Sequence, residues 1–258
     1  MKNRDNNADN TIIAGRKPVQ ELLLDSPERI DQLYLQKGRQ DKNFERTIQR
    51  CKKHGVKYKI ADKTELTRIF PGNHQGIIAR VAAMSYADFD EMLETLREAP
   101  LPLLIVLDQV QDPGNIGVLA RTLYALGGAG IVTARHGGAF LGPAAVKASA
   151  GALTRLPVAR VANIAQALDK AVDMGISIYG AGLSEDSSSA YTTDLNYPAI
   201  LVLGNEEKGI RHNVEKRCEK LIHIPFRREF DSLNVAQAGA MLINEFSRRT
   251  AERTESLT

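Results

Sequence analysis

Three separated stretches of this 258-residue chain gather polar residues where a ligand could be held and acted upon. They run from Asp108 to Thr122 (DQVQDPGNIGVLART), Leu201 to Ile210 (LVLGNEEKGI) and Ile224 to Glu245 (IPFRREFDSLNVAQAGAMLINE). Each opens on an apolar, strand-like run and turns polar where the strand would stop. In open α/β sheets ligands bind beyond the carboxyl ends of the strands, so the three stretches predict one composite pocket.

Read singly, each stretch has an ordinary explanation. Asp112-Pro113-Gly114-Asn115 is a turn signal, and Asn115 stands where an N-cap would start a helix bearing Ile116, Leu119, Ala120 and Leu123. Capping alone would account for Asn115, and solvation for Arg121 in the second turn. In the second stretch the run Ala199 to Leu203 ends at Gly204-Asn205-Glu206-Glu207-Lys208-Gly209. Its two glycines permit either close backbone approach to a ligand or a positive φ. Glu206, nearest the glycine turn, could hold a hydroxyl or amine, whereas Glu207 and Lys208 read as surface charge. In the third stretch Ser232 and Asn234 compete for one N-cap ahead of a helix with Val235, Ala238, Leu242 and Phe246 on a single face. One cap suffices, which leaves a surplus polar residue for function. The small residues Ala236, Ala238, Gly239 and Ala240 allow close helix packing.

The elements that must position these residues follow from periodicity. Between Ala14 and Val81 helix and strand patterns alternate: a helix after Pro18, a strand over Ile30 to Leu35, and a helix around Phe44 to His54. A strand over Val56 to Ile60, a short helix over Lys63 to Phe70 and a strand over Gly76 to Val81 complete a small α/β module. The amphipathic stretch Ser85 to Pro102 ends on Pro100 and Pro102, which punctuate a boundary. The second module begins with Leu103 to Leu107, a continuous apolar run suited to a strand buried on both faces. Runs at Gly130 to Thr133, Ile176 to Tyr179, Ile200 to Leu203 and Leu221 to Ile224 alternate with helical stretches, predicting an α/β fold with a mainly parallel sheet. The expected organisation is a disordered tail over 1–12, a first module over 13–83, a linker over 84–101 and a second module over 102–258.

Composition narrows the partners. Residues 1–84 hold 17 Lys and Arg against 10 Asp and Glu, and the remainder 17 against 21, so the overall +3 conceals a basic first module and a mildly acidic second one. That division suits an enzyme whose polyanionic substrate is gripped by one part and modified by the other. Cys51 and Cys218 have no disulfide or zinc spacing, no metal is expected, and a reducing cytoplasm fits. Met1 to Asn10 lacks an apolar core, and no window of about 18 apolar residues exists, which argues against secretion or membrane insertion. No G-x-G-x-x-G follows a strand and no G-x-x-x-x-G-K-[ST] occurs, disfavouring dinucleotide binding and nucleoside triphosphate hydrolysis.

Taken in order, the three stretches resemble motifs 1, 2 and 3 of the SpoU (TrmH-like) branch of the SPOUT RNA methyltransferases, DPxNxGxxxRT, LGxExxG and SLNVxxAxxxxxxE. The match covers the whole second module. The first module resembles the L30e-like substrate-binding domain that precedes this catalytic domain, through Gly15 to Leu23 (GRKPVQELL) and His74 to Ile77 (HQGI). The resemblance implies a C-terminal trefoil knot forming an S-adenosylmethionine pocket, and a homodimer with the active site at the subunit interface. It also implies methyl transfer to a ribose 2′-hydroxyl, in the most similar branch that of a guanosine in 23S ribosomal RNA.

The site residues carried over are Arg121 to activate the hydroxyl, Asn115 and Glu206 to orient Arg121 and the ribose, and Ser232 and Asn234 to complete the site. Gly204, Ile224 and Leu233 would surround the adenosine. An arginine stays protonated, which favours phosphate binding and alkoxide stabilisation over literal base catalysis. Arg16, Lys17, Lys37, Arg39 and Arg80, with Arg227 and Arg228, are the candidate RNA contacts. Two other readings remain, an enzyme of the same class acting on transfer RNA and a non-catalytic RNA-binding protein of the same fold. The second predicts loss of site residues, yet Asn115, Arg121, Glu206, Ser232 and Asn234 are all present.

Overall fold

The computed structural model describes residues 12–25, 27–38, 42–81, 86–138, 141–184 and 186–255. The chain forms two compact units that change over between Tyr86 and Ala87. The tail expected over the first residues lies outside the described residues up to position 11, and Ile12 already belongs to a strand.

The first unit contains β1 (Ile12–Ala14), α1 (Arg16–Asp25), β2 (Ile30–Gln36), α2 (Lys42–His54), β3 (Tyr58–Ala61), α3 (Lys63–Ile69) and β4 (Ile77–Val81). Its sheet runs β1-β4-β2-β3, with β2 and β3 parallel and the other pairs antiparallel. Alternation along β2 and β4 divides the core. Leu33, Leu35, Ile77, Ala79 and Val81 pack with Val19, Leu23 and Cys51 of α1 and α2. Tyr34 and Ile78 face the other way, onto Leu66 of α3. The expected helices and strands are found, most shifted by one or two residues, and β1 is an addition too short to show a period.

The second unit opens with α4 (Phe89–Thr95), β5 (Leu101–Leu107), α5 (Pro113–Ala125), β6 (Gly128–Ala134), α6 (Pro143–Ala148) and β7 (Val158–Val161). It continues through α7 (Ile164–Asp173), β8 (Ser177–Ala181), β9 (Ser188–Ser189), β10 (Ala199–Leu203), α8 (His212–Glu215), β11 (Lys220–His223) and α9 (Val235–Glu255). All seven strands are parallel, in the order β7-β6-β5-β10-β8-β11-β9, as the continuous apolar runs predict. On one face Leu104, Val106, Ile178, Ile200 and Val202 pack with residues of α4, α7 and α8. On the other, α9 crosses α5 so closely that a Cβ at Gly239 would stand 2.4 Å from Leu119 Cδ2 and 2.8 Å from Leu203 Cδ1.

The linker expected over 84–101 is corrected by this unit. Asp88 caps α4 by accepting from the backbone N–H groups of Asp90 and Glu91, and Met92, Leu93 and Leu96 are buried in the main core. Leu101 and Pro102 then lie inside β5, where the pairing register with β6 shifts between Leu101 and Leu104. A proline tolerated at a sheet irregularity looks in sequence like a boundary.

Candidate active site at the strand ends

The order of the strands reverses direction between β5 and β10, and ligands of such sheets collect at that switch. Two interactions brace the strand ends there. Asp108, just past β5 and fully buried, accepts from Arg211 through the backbone N–H at 2.8 Å, Nε at 2.8 Å and a terminal guanidinium nitrogen at 2.6 Å. Asn205, just past β10, donates through Nδ2 to the Gln109 carbonyl at 3.2 Å and accepts through Oδ1 from the N–H groups of Glu207 and Lys208. Asp108 lies in the first stretch, but its role is not legible there because its partner is 103 positions away.

The two glycines of the second stretch have different causes. Gly209 has φ +67°, a left-handed conformation that closes a tight turn in which Asn205 and Gly209 exchange backbone hydrogen bonds. At Gly204 a Cβ would stand 2.3 Å from the Gly209 carbonyl carbon, so the absent side chain makes room for the chain's own return.

Asn115 is not the cap of α5. Asp112 takes that place, accepting from the Gly114 N–H at 2.6 Å, with Pro113 at the start of the helix. Asn115 is thereby carried into the first turn with its amide unspent on capping. Its Nδ2 donates to Glu206 Oε1 at 2.7 Å, and its Oδ1 accepts from Asn234 Nδ2 at 3.2 Å. Asn234 is the cap of α9, its Oδ1 accepting from the Ala236 N–H at 2.9 Å. Ser232 is therefore the surplus residue, exposed in the loop ahead of the helix. One residue from each stretch thus joins a single chain, Asn234 to Asn115 to Glu206.

Beside that chain is a cleft of about 200 Å³ whose lining includes Gly204, Glu206, Ile224, Ser232 and Leu233. Leu203, Val235 and Leu242 give it apolar walls, and Gly182, Leu183, His223 and Phe226 also reach it. This second group was not singled out in sequence, since β8 and the end of β11 show only core-like patterns there. Ser187 Oγ lies 2.9 Å from His223 Nδ1 and 2.7 Å from the Ser184 carbonyl, which ties His223 to the loop after β8.

Arg121 stands apart. It is exposed on α5 and makes no hydrogen bond or ion pair among the described residues. Six residues beyond Asn115, it is displaced by about 9 Å along the helix axis and lies on another side of the helix. The expectation that Asn115 and Glu206 orient it is thus not met within one chain. Arg227 and Arg228 are likewise exposed, in the loop that leads to Ser232.

The far end of α9 is held firmly. Burial would raise the Glu245 carboxyl, but hydrogen bonds from Arg248 and Arg249 outweigh it and hold the group below the usual carboxylate range. Arg249 also donates to the Tyr191 carbonyl, and Phe246 packs edge-on against Tyr179 and Tyr197 with centroids 5.6 and 5.9 Å apart. These contacts fix the helix that presents Asn234.

The cleft and the polar chain suit an adenosine-bearing cofactor: apolar walls for a base, strand-end backbone groups for its edges, and hydroxyl and carboxylate groups at the lip. Comparisons with known proteins agree. Residues 102–244 match the model of the SpoU rRNA methylase family, and residues 12–87 match that of the RNA 2′-O ribose methyltransferase substrate-binding domain. The chain is 33% identical over 245 residues to a 23S rRNA (guanosine-2′-O-)-methyltransferase of Pseudomonas syringae pv. tomato, covering 93% of this chain and 97% of that protein. A protein of the same description from Shewanella oneidensis is 32% identical over 239 residues, 92% of this chain and 97% of the relative. The SpoU methyltransferase AviRb of Streptomyces viridochromogenes, solved in complex with AdoMet, shares the fold with a TM-score of 0.57 at 21% identity, covering 97% of this chain and 95% of that one. The chain belongs to the SpoU rRNA methylase family and is an S-adenosylmethionine-dependent RNA ribose 2′-O-methyltransferase.

Proposed function

We propose that the substrate is a guanosine of 23S ribosomal RNA, whose ribose 2′-hydroxyl is methylated at the ends of β5, β10 and β11. The observation that carries the site is the hydrogen-bonded chain Asn234–Asn115–Glu206, which joins three stretches far apart in sequence at the lip of one cleft. The choice of RNA follows the relatives described as 23S rRNA guanosine methyltransferases.

In this reading Gly204, Ile224 and Leu233 hold the cofactor's adenosine, largely through backbone groups. When bound, the cofactor supplies an electrophilic methyl group on a sulfonium. The chain's own residues do the rest. Glu206 and Asn115 orient the ribose: Asn115 holds the carboxylate through Nδ2 while Asn234 fixes the amide from the other side. Ser232 supplies a further hydroxyl at the lip. A ribose hydroxyl is a weak nucleophile near neutral pH, so positioning and stabilisation of the developing alkoxide are the useful contributions. Arg121 provides the positive charge for the second task.

Because Arg121 lies away from the chain on its own helix, we infer that a homodimer completes the site, the arginine of one copy reaching the cleft of the other. Exposed Val118 and Tyr124 on α5 and Met241 on α9 are consistent with a second copy covering these helices. A trefoil knot is proposed for the C-terminal segment, supported by β10 lying between β5 and β8 and by α9 being packed on α5 and on Tyr179 and Tyr197. The first unit is the proposed RNA grip, and a cytoplasmic location is supported by the two unpaired thiols.

The test is to incubate the protein with labelled S-adenosylmethionine and unmodified 23S ribosomal RNA or transfer RNA, then map alkali-resistant 2′-O-methyl nucleotides. Label in a 23S guanosine is expected. Label in transfer RNA alone would overturn the substrate, and label in neither would overturn methyl transfer to both.

A further inference from the structure

The cleft beside the Asn234–Asn115–Glu206 chain is lined by three titratable side chains among the described residues, Glu206, Asp231 and His223. No Lys or Arg lines it there, so His223 is the one lining group that can carry positive charge. In S-adenosylmethionine the sulfonium and the ammonium suit two carboxylates, whereas the α-carboxylate is repelled by them. A carboxylate drawn out of water needs a hydrogen-bond donor, and a charge-assisted one serves best.

The fold fixes His223 and leaves half of its ring unused. His223 closes β11 and pairs with Ser189 of β9, and its carbonyl accepts from the Ala190 N–H at 2.8 Å. Its Nδ1 meets Ser187 Oγ at 2.9 Å, and that oxygen is itself held by the Ser184 N–H at 3.1 Å. Backbone and ring are thus both set by the segment after β8. Nε2 has no hydrogen-bond partner among the described residues, although the side chain is half-buried. A histidine serving packing alone would be expected to spend both nitrogens.

Position supports the same role. β10, β8 and β11 are successive neighbours, so His223 ends a strand two spacings, about 10 Å, across the sheet from the strand that presents Glu206. A carboxylate at His223 is therefore kept away from the Glu206 carboxylate. The exposed apolar side chains Leu183 and Phe226, from the segments after β8 and β11, also line the cleft and would be covered by a ligand reaching His223. Arg227 and Arg228 follow Phe226 in the chain but do not line the cleft. In the first unit Arg80 bonds and stacks with Tyr34, Lys37 is exposed beyond β2, and Arg39 lies outside the described residues.

We propose that His223 binds the α-carboxylate of S-adenosylmethionine by donating from Nε2, with Ser187 as the residue that positions its ring. Either form of the ring serves: an imidazolium donates from both nitrogens, and a neutral ring protonated at Nε2 accepts from the Ser187 hydroxyl through Nδ1. The proposal rests on the reading of this cleft as the cofactor pocket and gives the methionine end of the cofactor a partner. His223 then sets specificity. A ligand that keeps the adenosine, the sulfonium and the ammonium but lacks the carboxylate should gain nothing from it, and decarboxylated S-adenosylmethionine differs from the cofactor by that group alone.

Calorimetric titration of the full-length protein with each ligand tests this. Wild type should bind S-adenosylmethionine about tenfold more tightly than the decarboxylated form, the scale of one hydrogen bond to a charged group. His223→Ala, and His223→Phe, which keeps a flat ring without a donor, should bind the two ligands alike, having lost affinity for S-adenosylmethionine only. Unchanged affinity for the decarboxylated ligand shows that these variants are folded. Ser187→Ala should lower the preference about two- to fivefold, and a variant carrying Arg227→Gln and Arg228→Gln should keep it. A preference absent from wild type, surviving in both His223 variants, or lost in the arginine pair instead would overturn the assignment. Gly204→Ala separates pocket from residue, since it should weaken both ligands equally. Neither ligand weakened by Gly204→Ala, with the preference still lost in the His223 variants, would count against the assignment of Gly204 to the pocket and support that of His223.

Discussion

Asp108 and Asn115 follow the same strand, seven residues apart, yet their polar groups are spent in opposite ways. Asp108 is fully buried and both its oxygens are taken by Arg211, so the pair fixes the ends of β5 and β10. Asn115 is part-exposed, and its amide is divided between Glu206 and Asn234 on the lip of the cleft. The contrast separates frame from site: groups saturated within the fold hold the strand ends, and groups that keep spare capacity at the surface are those that can meet a ribose. Arg121 is the extreme of the second kind, with no partner among the described residues.

The strongest way to break that contrast is to attack the frame. Asp108→Ala leaves the Arg211 guanidinium without its buried partner and should cost about 3 kcal/mol of stability, the lower end for a broken buried pair because Arg211 is partly exposed. Denaturant titration of this variant against wild type measures it, and an unchanged midpoint would mean that the ion pair does not hold the frame. On the site side, Arg121→Ala should lower methyl transfer at least about 100-fold, equivalent to about 2.7 kcal/mol of transition-state stabilisation, while stability and cofactor affinity stay near wild type. Turnover equal to wild type would remove Arg121 from the chemistry.

Gly204→Ala straddles the two classes. Its Cβ would meet the Gly209 carbonyl carbon at 2.3 Å, so the turn must shift, at a cost of about 1–3 kcal/mol. Since Gly204 lines the cleft, the dissociation constant for S-adenosylmethionine, measured by calorimetry, should rise with that loss. Stability lost with cofactor affinity unchanged would make the residue purely structural.

The smallest effect concerns the thiols, which belong to the frame. Burial pushes Cys51 up to about 11, and burial followed by the nearby Glu215 and Asp108 charges pushes Cys218 up to about 12, from an ordinary 9.0. The folded state therefore retains these protons after the unfolded chain has lost them. Stability from this source is fully present below about pH 9 and declines as pH rises through 9 toward 11 and 12. At pH 8 both thiols should react with a disulfide reagent far more slowly than in denaturant, and equal rates would contradict the protection.

The same contrast explains what could be read from sequence. Frame strands with continuous apolar runs, Leu103 to Leu107 and Ile200 to Leu203 above all, are legible because burial on both faces leaves little choice of residue. The linker was misread because Pro100 and Pro102 are strong breakers locally, while burial of Met92, Leu93 and Leu96 is decided by tertiary packing. Strands β7 and β9 were missed, since Arg160 interrupts the apolar run of β7 and the two serines of β9 are too few to establish a period.

At the site, the motifs drew attention to Asn115, Glu206 and Asn234, but their hydrogen bonds span 91 and 119 positions and emerge only when the sheet assembles. Asn115 was read as the cap of α5, whereas Asp112, a residue type that caps equally well, takes that place, and the misplaced cap concealed the freed amide. Arg46 and Arg50 were not singled out in sequence, and only the fold brings α1 and α2 together so that both line one cleft.

We propose that the Asn234–Asn115–Glu206 chain serves the ribose and not the fold. Single-turnover methyl transfer by Asn115→Ala, at saturating cofactor and RNA, tests it most directly. The expected rate is at least about tenfold below wild type, about 1.4 kcal/mol in the barrier, with the cofactor dissociation constant and the denaturation midpoint unchanged. A wild-type rate, or a slow rate that merely tracks lost stability, would contradict it.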